Sequence, residues 1–286
     1  SGAYGFRDQL QDSQIFLPFE PEFTKKQILL HARHQFKDGT VYHWWHPISE
    51  EGRITRKTDD LLWLPYVTIN YLNETEDFAI LSQKIPYLSE TPEVHKGAGE
   101  TDTLYNHCKR AIDRVLKRLS PRGLPLIGEG DWNDGLSAVG YNWKGESIWL
   151  AHFLYGILRD FSEVAKRKGD RSLARKYIHR GEILKKKINQ YGWDGSWYIR
   201  ATKDSGAPIG SSKCREGKIF LNAQTWAIIN GVAPEDRAKK AIESMERMLG
   251  TRYGPLLFYP AYSKPDETIG YLTRYAPGVR ENGGVY

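Results

Sequence analysis

Helical periodicity dominates this chain. Apolar side chains recur at three- and four-residue intervals from Thr24 to Phe36, Asp59 to Tyr71, Thr103 to Leu119, Ser147 to Lys168, Ser172 to Tyr191, Asn222 to Asn230 and Pro234 to Leu249. That spacing gathers them on one helix face, so each segment is predicted to be a helix packed along an apolar stripe. Pro234 followed by Glu235 and Asp236 makes a good start, and Gly250 a good stop. Pro65 is expected to kink or shorten the second segment, because proline removes one ladder hydrogen bond and crowds the preceding turn. Loops rich in glycine and aromatic residues, such as Tyr191 to Gly210, separate the helices. Strands and helices do not alternate rhythmically, which argues against a parallel sheet. The pattern predicts an all-α fold: stacked helical hairpins with functional loops at one end.

The densest chemistry falls in one such loop, Gly128-Glu129-Gly130-Asp131-Trp132-Asn133-Asp134-Gly135, which comes after the apolar run Leu124-Pro125-Leu126-Ile127. Three carboxylates, an indole and a carboxamide in eight residues place this segment at the edge of a core rather than inside it. Carbohydrate chemistry uses such a set: a ring stacks on a sugar while a carboxyl with raised pKa protonates the glycosidic oxygen. An Asx-rich turn at a helix start is the competing reading.

Composition narrows the class. The 286 residues suffice for one large domain or two ordinary ones. No apolar run approaches the length of a membrane span, and the first residues carry no signal-like segment. Cys108 and Cys214 stand far apart in no metal-ligand spacing, so a reducing cytoplasm is the expected location. The net charge of +6 gathers around Lys166 to Lys187, where Lys185-Lys186-Lys187 reads as the solvated face of an outer helix rather than a nucleic-acid patch. Nine Trp and 17 Tyr are many for this length, and flat amphipathic rings suit a sugar-binding cleft. His43 and His46 flank Trp44-Trp45 at a spacing that would share one side of a helical turn. Without a nearby third ligand, packing or sugar stacking is the better reading than metal.

Several motifs, in order, resemble one family. The N-terminal Ser1-Gly2-Ala3-Tyr4-Gly5-Phe6-Arg7-Asp8-Gln9-Leu10-Gln11-Asp12, the Asp38 to Pro47 and Thr58 to Pro65 segments, Gly130 to Gly135, and the C-terminal Tyr275 to Tyr286 together resemble the inverting disaccharide and oligosaccharide phosphorylases of glycoside hydrolase family ninety-four. The resemblance spans the chain. It implies an (α/α)6 barrel, with the site formed by loops at the inner-helix N-termini. It also implies that residues 1–286 are a partial catalytic domain, since relatives carry a β-sandwich before the barrel and more barrel after the point reached here. A family arginine upstream and a phosphate-binding histidine would lie outside the chain.

By the same resemblance, Asp134 is the general acid, with Asp131 as its rival in the same loop. Trp132 lines the donor subsite. Arg7 and Asp8 bind donor hydroxyls, with Asp12 a close alternative, while an Arg7–Asp8 structural ion pair is the plain alternative. Glu281 matches a glutamate beside the donor sugar, and Arg280 and Tyr275 face the acceptor. Asp59 and Asp60 are more simply a helix cap and dipole partner than cleft residues. The implied activity is inverting phosphorolysis of a β-linked glucoside to an α-sugar 1-phosphate. The expected partners are the glucoside and inorganic phosphate, with no cofactor, metal, nucleic acid or membrane, and with a homodimer as an assembly to test. A transglycosylase or inverting hydrolase on the same scaffold, and a non-catalytic glycan-binding module, are the alternatives.

Overall fold

A computed structural model of the chain describes residues 2–89 and 100–286. It divides into two compact units, Ser1–Lys117 and Arg118–Tyr286. The first unit holds helices α1 (Phe6–Ser13), α2 (Pro21–Ala32), α3 (Asp60–Thr75) and α4 (Leu104–Leu116). The second holds α5 (Ile148–Arg167), α6 (Arg171–Tyr191), α7 (Leu221–Ile229) and α8 (Glu235–Leu249). The all-α expectation holds. Among the described residues, strands are two or three residues long and every ladder is antiparallel.

Three departures from the sequence pattern have physical reasons. The short helix α1 is not expected from periodicity, because Arg7 and Asp8 disguise an apolar face whose Phe6 and Leu10 are fully buried. Helix α2 starts at Pro21, whose missing N–H costs nothing in a first turn, and ends at Ala32 rather than Phe36. Beyond it Gln35 bridges Val41, and Gly39 turns the chain at φ 92°. Helix α3 continues through Pro65 to Thr75 instead of stopping. Its buried face includes Leu61, Leu62, Leu64, Val67 and Leu72, so packing outweighs the lost hydrogen bond.

In the first unit α3 packs against α1, α2 and α4. In the second, α5 lies between α6 and α7, and α7 packs on α8. Helix α5 is buried almost continuously from Ile148 to Leu158, as an inner helix must be. Helix α6 buries only a stripe (Leu173, Ala174, Tyr177, Gly181, Leu184 and Ile188) and turns its basic residues outward. Lys186 is exposed, as expected, while Lys185 and Lys187 are half-buried over the rings of Tyr155 and Tyr191. Both cysteines are unbridged. No helix is long and apolar enough to cross a membrane among the described residues.

Gly181 and Gly156 offer opposite outcomes on the same helix pair. A methyl group at Gly181 would meet nothing closer than 3.7 Å, whereas at Gly156 it would come within 2.2 Å of Asn230 Oδ1. Gly181→Ala is therefore expected to stabilise the chain by about 0.5–1 kcal/mol through helix propensity alone. Gly156→Ala is expected to destabilise it, because the Asn230 amide that bonds His152 O at 3.1 Å would have to move. Urea midpoints of the two variants check both signs.

The ladders have a positional logic. Tyr4–Gly5, Thr101–Thr103, Glu146–Ser147 and Ile219–Phe220 immediately precede α1, α4, α5 and α7. Hydrogen-bonded backbone thus delivers the chain into the N-terminus of each of these helices, which keeps the flanking loops in register.

Candidate active site

The Gly128 to Gly135 loop rests on a core of Ile127, Leu136, Val139, Ala201, Ile209, Phe220, Phe258, Ile269 and Leu272. Its shape comes from two successive Asx turns. Asn133 N donates to Asp131 Oδ1 at 3.1 Å, and Gly135 N donates to Asn133 Oδ1 at 3.0 Å. Gly130 takes φ 128°, which an L side chain resists, and a Cβ at Gly135 would lie 2.4 Å from the Leu272 side chain. The turn half of the plain reading thus holds for Asp131 and Asn133, but no helix starts there: the next is α5 at Ile148. Half-buried Asp134 is carried by the turns they make.

Asp131 is committed further. It is fully buried, as is Arg200, whose guanidinium engages both carboxylate oxygens, Nη1 reaching Oδ2 at 2.8 Å. Ser147 Oγ donates to Oδ2 at 2.7 Å and also caps α5 by accepting from Leu150 N at 2.9 Å. With both oxygens occupied as acceptors, Asp131 is placed to shape the loop rather than to hand a proton to a ligand.

Trp132 is half-buried. Its ring stacks on Trp149 at 5.3 Å and 22°, and meets Trp226 edge-on at 5.7 Å. Trp149 and Phe153 from α5 and Trp226 from α7 complete the cluster. Trp132 therefore presents a supported ring rather than a free one.

The C-terminal loop shares the floor of the Asp134 loop. Leu272 N donates to Gly135 O at 3.2 Å, and Ala138 N to Ile269 O at 3.1 Å. Fully buried Asn282 pins the end of the chain, donating to Tyr275 O at 2.8 Å and Tyr262 O at 2.9 Å, and accepting from Tyr262 N at 2.9 Å. This brings Tyr275, Arg280 and Glu281 together. Arg280 adopts a left-handed φ of 51°, lays its guanidinium 4.7 Å from the Tyr275 ring centre, and brings Nε to 3.4 Å from Glu281 Oε2. A non-glycine residue held in that region is strained, and such strain gathers at ligand-binding loops. Glu281 Oε2 is screened from solvent and accepts no hydrogen bond among the described residues.

In the first unit, Arg7 is buried and directs Nη1 to Asp59 Oδ2 at 3.0 Å, with Asp60 Oδ1 at 3.8 Å. Asp59 also accepts from Trp63 Nε1 at 3.1 Å, and Asp60 Oδ2 lies 2.9 Å from His43 Nδ1. Asp59 occupies the cap position of α3 without capping it. The cap expectation is therefore corrected: these carboxylates serve a buried polar cluster. Asp8 and Asp12 are exposed on α1. Asp8, His43, Trp44 and His46 line a depression of about 370 Å³. Trp44 and Trp45 form a strand paired with Tyr4–Gly5 and Gly52–Arg53, so His43 and His46 do not share a helical turn. His46 instead packs edge-on against Trp44.

Burial alone would lower the pKa of His43, but the hydrogen bond and charge of Asp60 outweigh it and leave the imidazole above its ordinary value of about 6.5. A folded-state pKa above the unfolded one gives stability that is fully present below about pH 6.5 and lost as pH rises through the folded value. Asp60→Asn is expected to bring the His43 titration down and to flatten that part of the stability curve, as read by NMR titration and denaturant melts.

Sequence reasoning missed Arg200, Ser147, Trp149 and Trp226. Arg200 had a signal: a single charge inside Trp197-Tyr198-Ile199-Arg200-Ala201, where burial demands a partner.

Comparison with known proteins gives this arrangement a family. The chain is 38% identical to the cyclic beta-(1,2)-glucan synthase NdvB of Rhizobium meliloti, over 100% of the chain and 10% of that protein. It is 37% identical to solabiose phosphorylase of Paenibacillus borealis, over 99% of the chain and 35% of that protein. It is 31% identical to cellobionic acid phosphorylase of Neurospora crassa, again spanning 35% of that protein. The chain thus spans about a third or less of these relatives. Among solved structures, a rhamnosidase from Klebsiella oxytoca shares the fold with a TM-score of 0.62 at 17% identity, over 86% of this chain and 42% of that one. A mannosylglycerate hydrolase from Thermus thermophilus, in complex with glucose, does so with 0.63 at 14%, over 94% and 76%. Residues 1–286 match the model of the glycosyl hydrolase 94 superfamily catalytic domain over their whole length, and the chain belongs to that family.

Proposed function

We propose that this chain carries the acid and donor-site elements of an inverting phosphorylase, which converts a β-linked gluco-disaccharide or oligosaccharide to an α-sugar 1-phosphate. A phosphate oxygen attacks the anomeric carbon from the face opposite the leaving sugar. The bond from that carbon to the interglycosidic oxygen breaks, and the Asp134 carboxyl gives its proton to that oxygen. Phosphate arrives already ionised, so no protein base is needed, unlike an inverting hydrolase that must activate water. Neither cofactor nor metal enters this chemistry.

The observation that carries the reading is the division of labour in the loop. Arg200 and Ser147 consume both oxygens of Asp131, which favours Asp134 as the proton donor beside the supported Trp132 ring. Glu281 Oε2, which pairs with Arg280 Nε at 3.4 Å but accepts no hydrogen bond among the described residues, suits a sugar hydroxyl, and Arg280 with Tyr275 forms a surface suited to the acceptor. The phosphorylases among the relatives support this reading, while the 38% identity to a cyclic glucan synthase favours transglycosylation as a second one. Incubating the intact protein with β-glucosides, with and without phosphate, separates them. Sugar 1-phosphate formed only with phosphate supports phosphorolysis. Without phosphate, longer glucosides indicate transfer, free glucose with no longer products indicates hydrolysis, and binding without products indicates a glycan-binding module.

A further inference from the structure

The geometry points to Arg200 as a positioning residue for the acid: its bidentate grip on Asp131 fixes the turn that presents Asp134. This rests on the phosphorylase reading above. Arg200 and Asp131 are both fully buried, and each guanidinium nitrogen of the fork meets one carboxylate oxygen. Asp131 Oδ1 in turn receives Asn133 N, and Asn133 Oδ1 receives Gly135 N, so the fork fixes a relay of turns on either side of Asp134. Arg200 is itself anchored through its backbone and its side chain. Its backbone N donates to Ile209 O at 2.8 Å, its carbonyl accepts from Ile148 N at 3.1 Å, and its guanidinium lies 5.8 Å from the centre of the Trp149 ring.

No second counter-charge comes from the adjoining stretch of α5. His152 is kept neutral by burial and then by the charge of Arg200, which push its pKa down to about 3. Trp132 has separate support from Trp149 and Trp226, so loosening the fork shifts the acid more than the ring. A planar fork delivers this geometry where a lysine ammonium would not.

The test compares phosphorolysis of a β-glucoside with that of β-glucosyl fluoride, whose leaving group needs no proton. The variants are Arg200→Lys, Asp134→Asn, and the double variant Arg200→Met with Asp131→Leu. The double variant removes both buried charges together, so neither is left uncompensated in the core. The double variant is expected to melt near the wild-type temperature yet lose about 10²-fold in kcat on the glucoside, the scale of a misplaced catalytic group. KM is expected to change by less than about threefold and the fluoride rate to be largely kept, since the donor contacts are untouched. Arg200→Lys is expected to recover part of the loss. A folded double variant with wild-type glucoside kcat would overturn the proposal, as would equal losses on both donors. Asp134→Asn separates the two levels. If it shows no selective loss on the glucoside, the acid assignment fails and this proposal falls with it. If it does show that loss and the double variant does not, only the role of Arg200 is overturned.

Discussion

Replacing Asp134 with asparagine is expected to slow phosphorolysis of a β-glucoside by about 10²–10⁴-fold, the usual contribution of a positioned general acid. The amide keeps the shape of the carboxyl, and the turns on either side depend on Asp131 and Asn133 rather than on Asp134 itself. Folding and donor affinity are therefore expected to survive, which calorimetric titration with glucose and a thermal melt would show. The loss should shrink sharply on a glycosyl fluoride, because that leaving group departs unprotonated. A residue that merely bound the sugar would slow both donors alike. If Asp131→Asn gave the rescuable loss instead, the roles of the two carboxylates would be reversed.

The largest expected effect on stability lies in the other unit. Asp59 is fully buried between Arg7 Nη1 at 3.0 Å and Trp63 Nε1 at 3.1 Å. Asp59→Ala leaves the Arg7 charge buried with less compensation, and breaking such a pair costs about 3–5 kcal/mol. Asp60, 3.8 Å from Arg7 Nη1, still faces that charge and moves the expectation to about 3 kcal/mol. Urea denaturation checks this. A change below about 1 kcal/mol, within the range of an exposed ion pair, would mean that the cluster contributes little to the fold.

Local pattern made the second unit readable. Helices α5 to α8 lie within a few residues of their predicted spans because amphipathic stripes and end signals are short-range properties of sequence. Helix α1 escaped because an eight-residue helix with a buried arginine carries too little period to register. The Gly130 to Gly135 loop stood out by charge density alone. What Asp131 does in that loop, and what Asp59 does at the head of α3, was not readable, because the partner of Asp131 lies 69 residues away and that of Asp59 lies 52 away. The same holds for the tryptophans: Trp132 read as a ring waiting for a sugar, whereas Trp149 and Trp226 already support it from two helices.

That aromatic cluster makes the protein its own optical reporter. The Trp132 and Trp149 indoles, nearly parallel at 5.3 Å, are close enough for their excited states to couple, and Trp226 stands across both at about a right angle. Indoles coupled in a fixed geometry give a paired circular dichroism band whose sense follows their relative orientation. If Trp132 lines the donor subsite as proposed, a sugar that settles on it would change the emission of that indole and the coupled band together, and occupancy would be readable by light without any label.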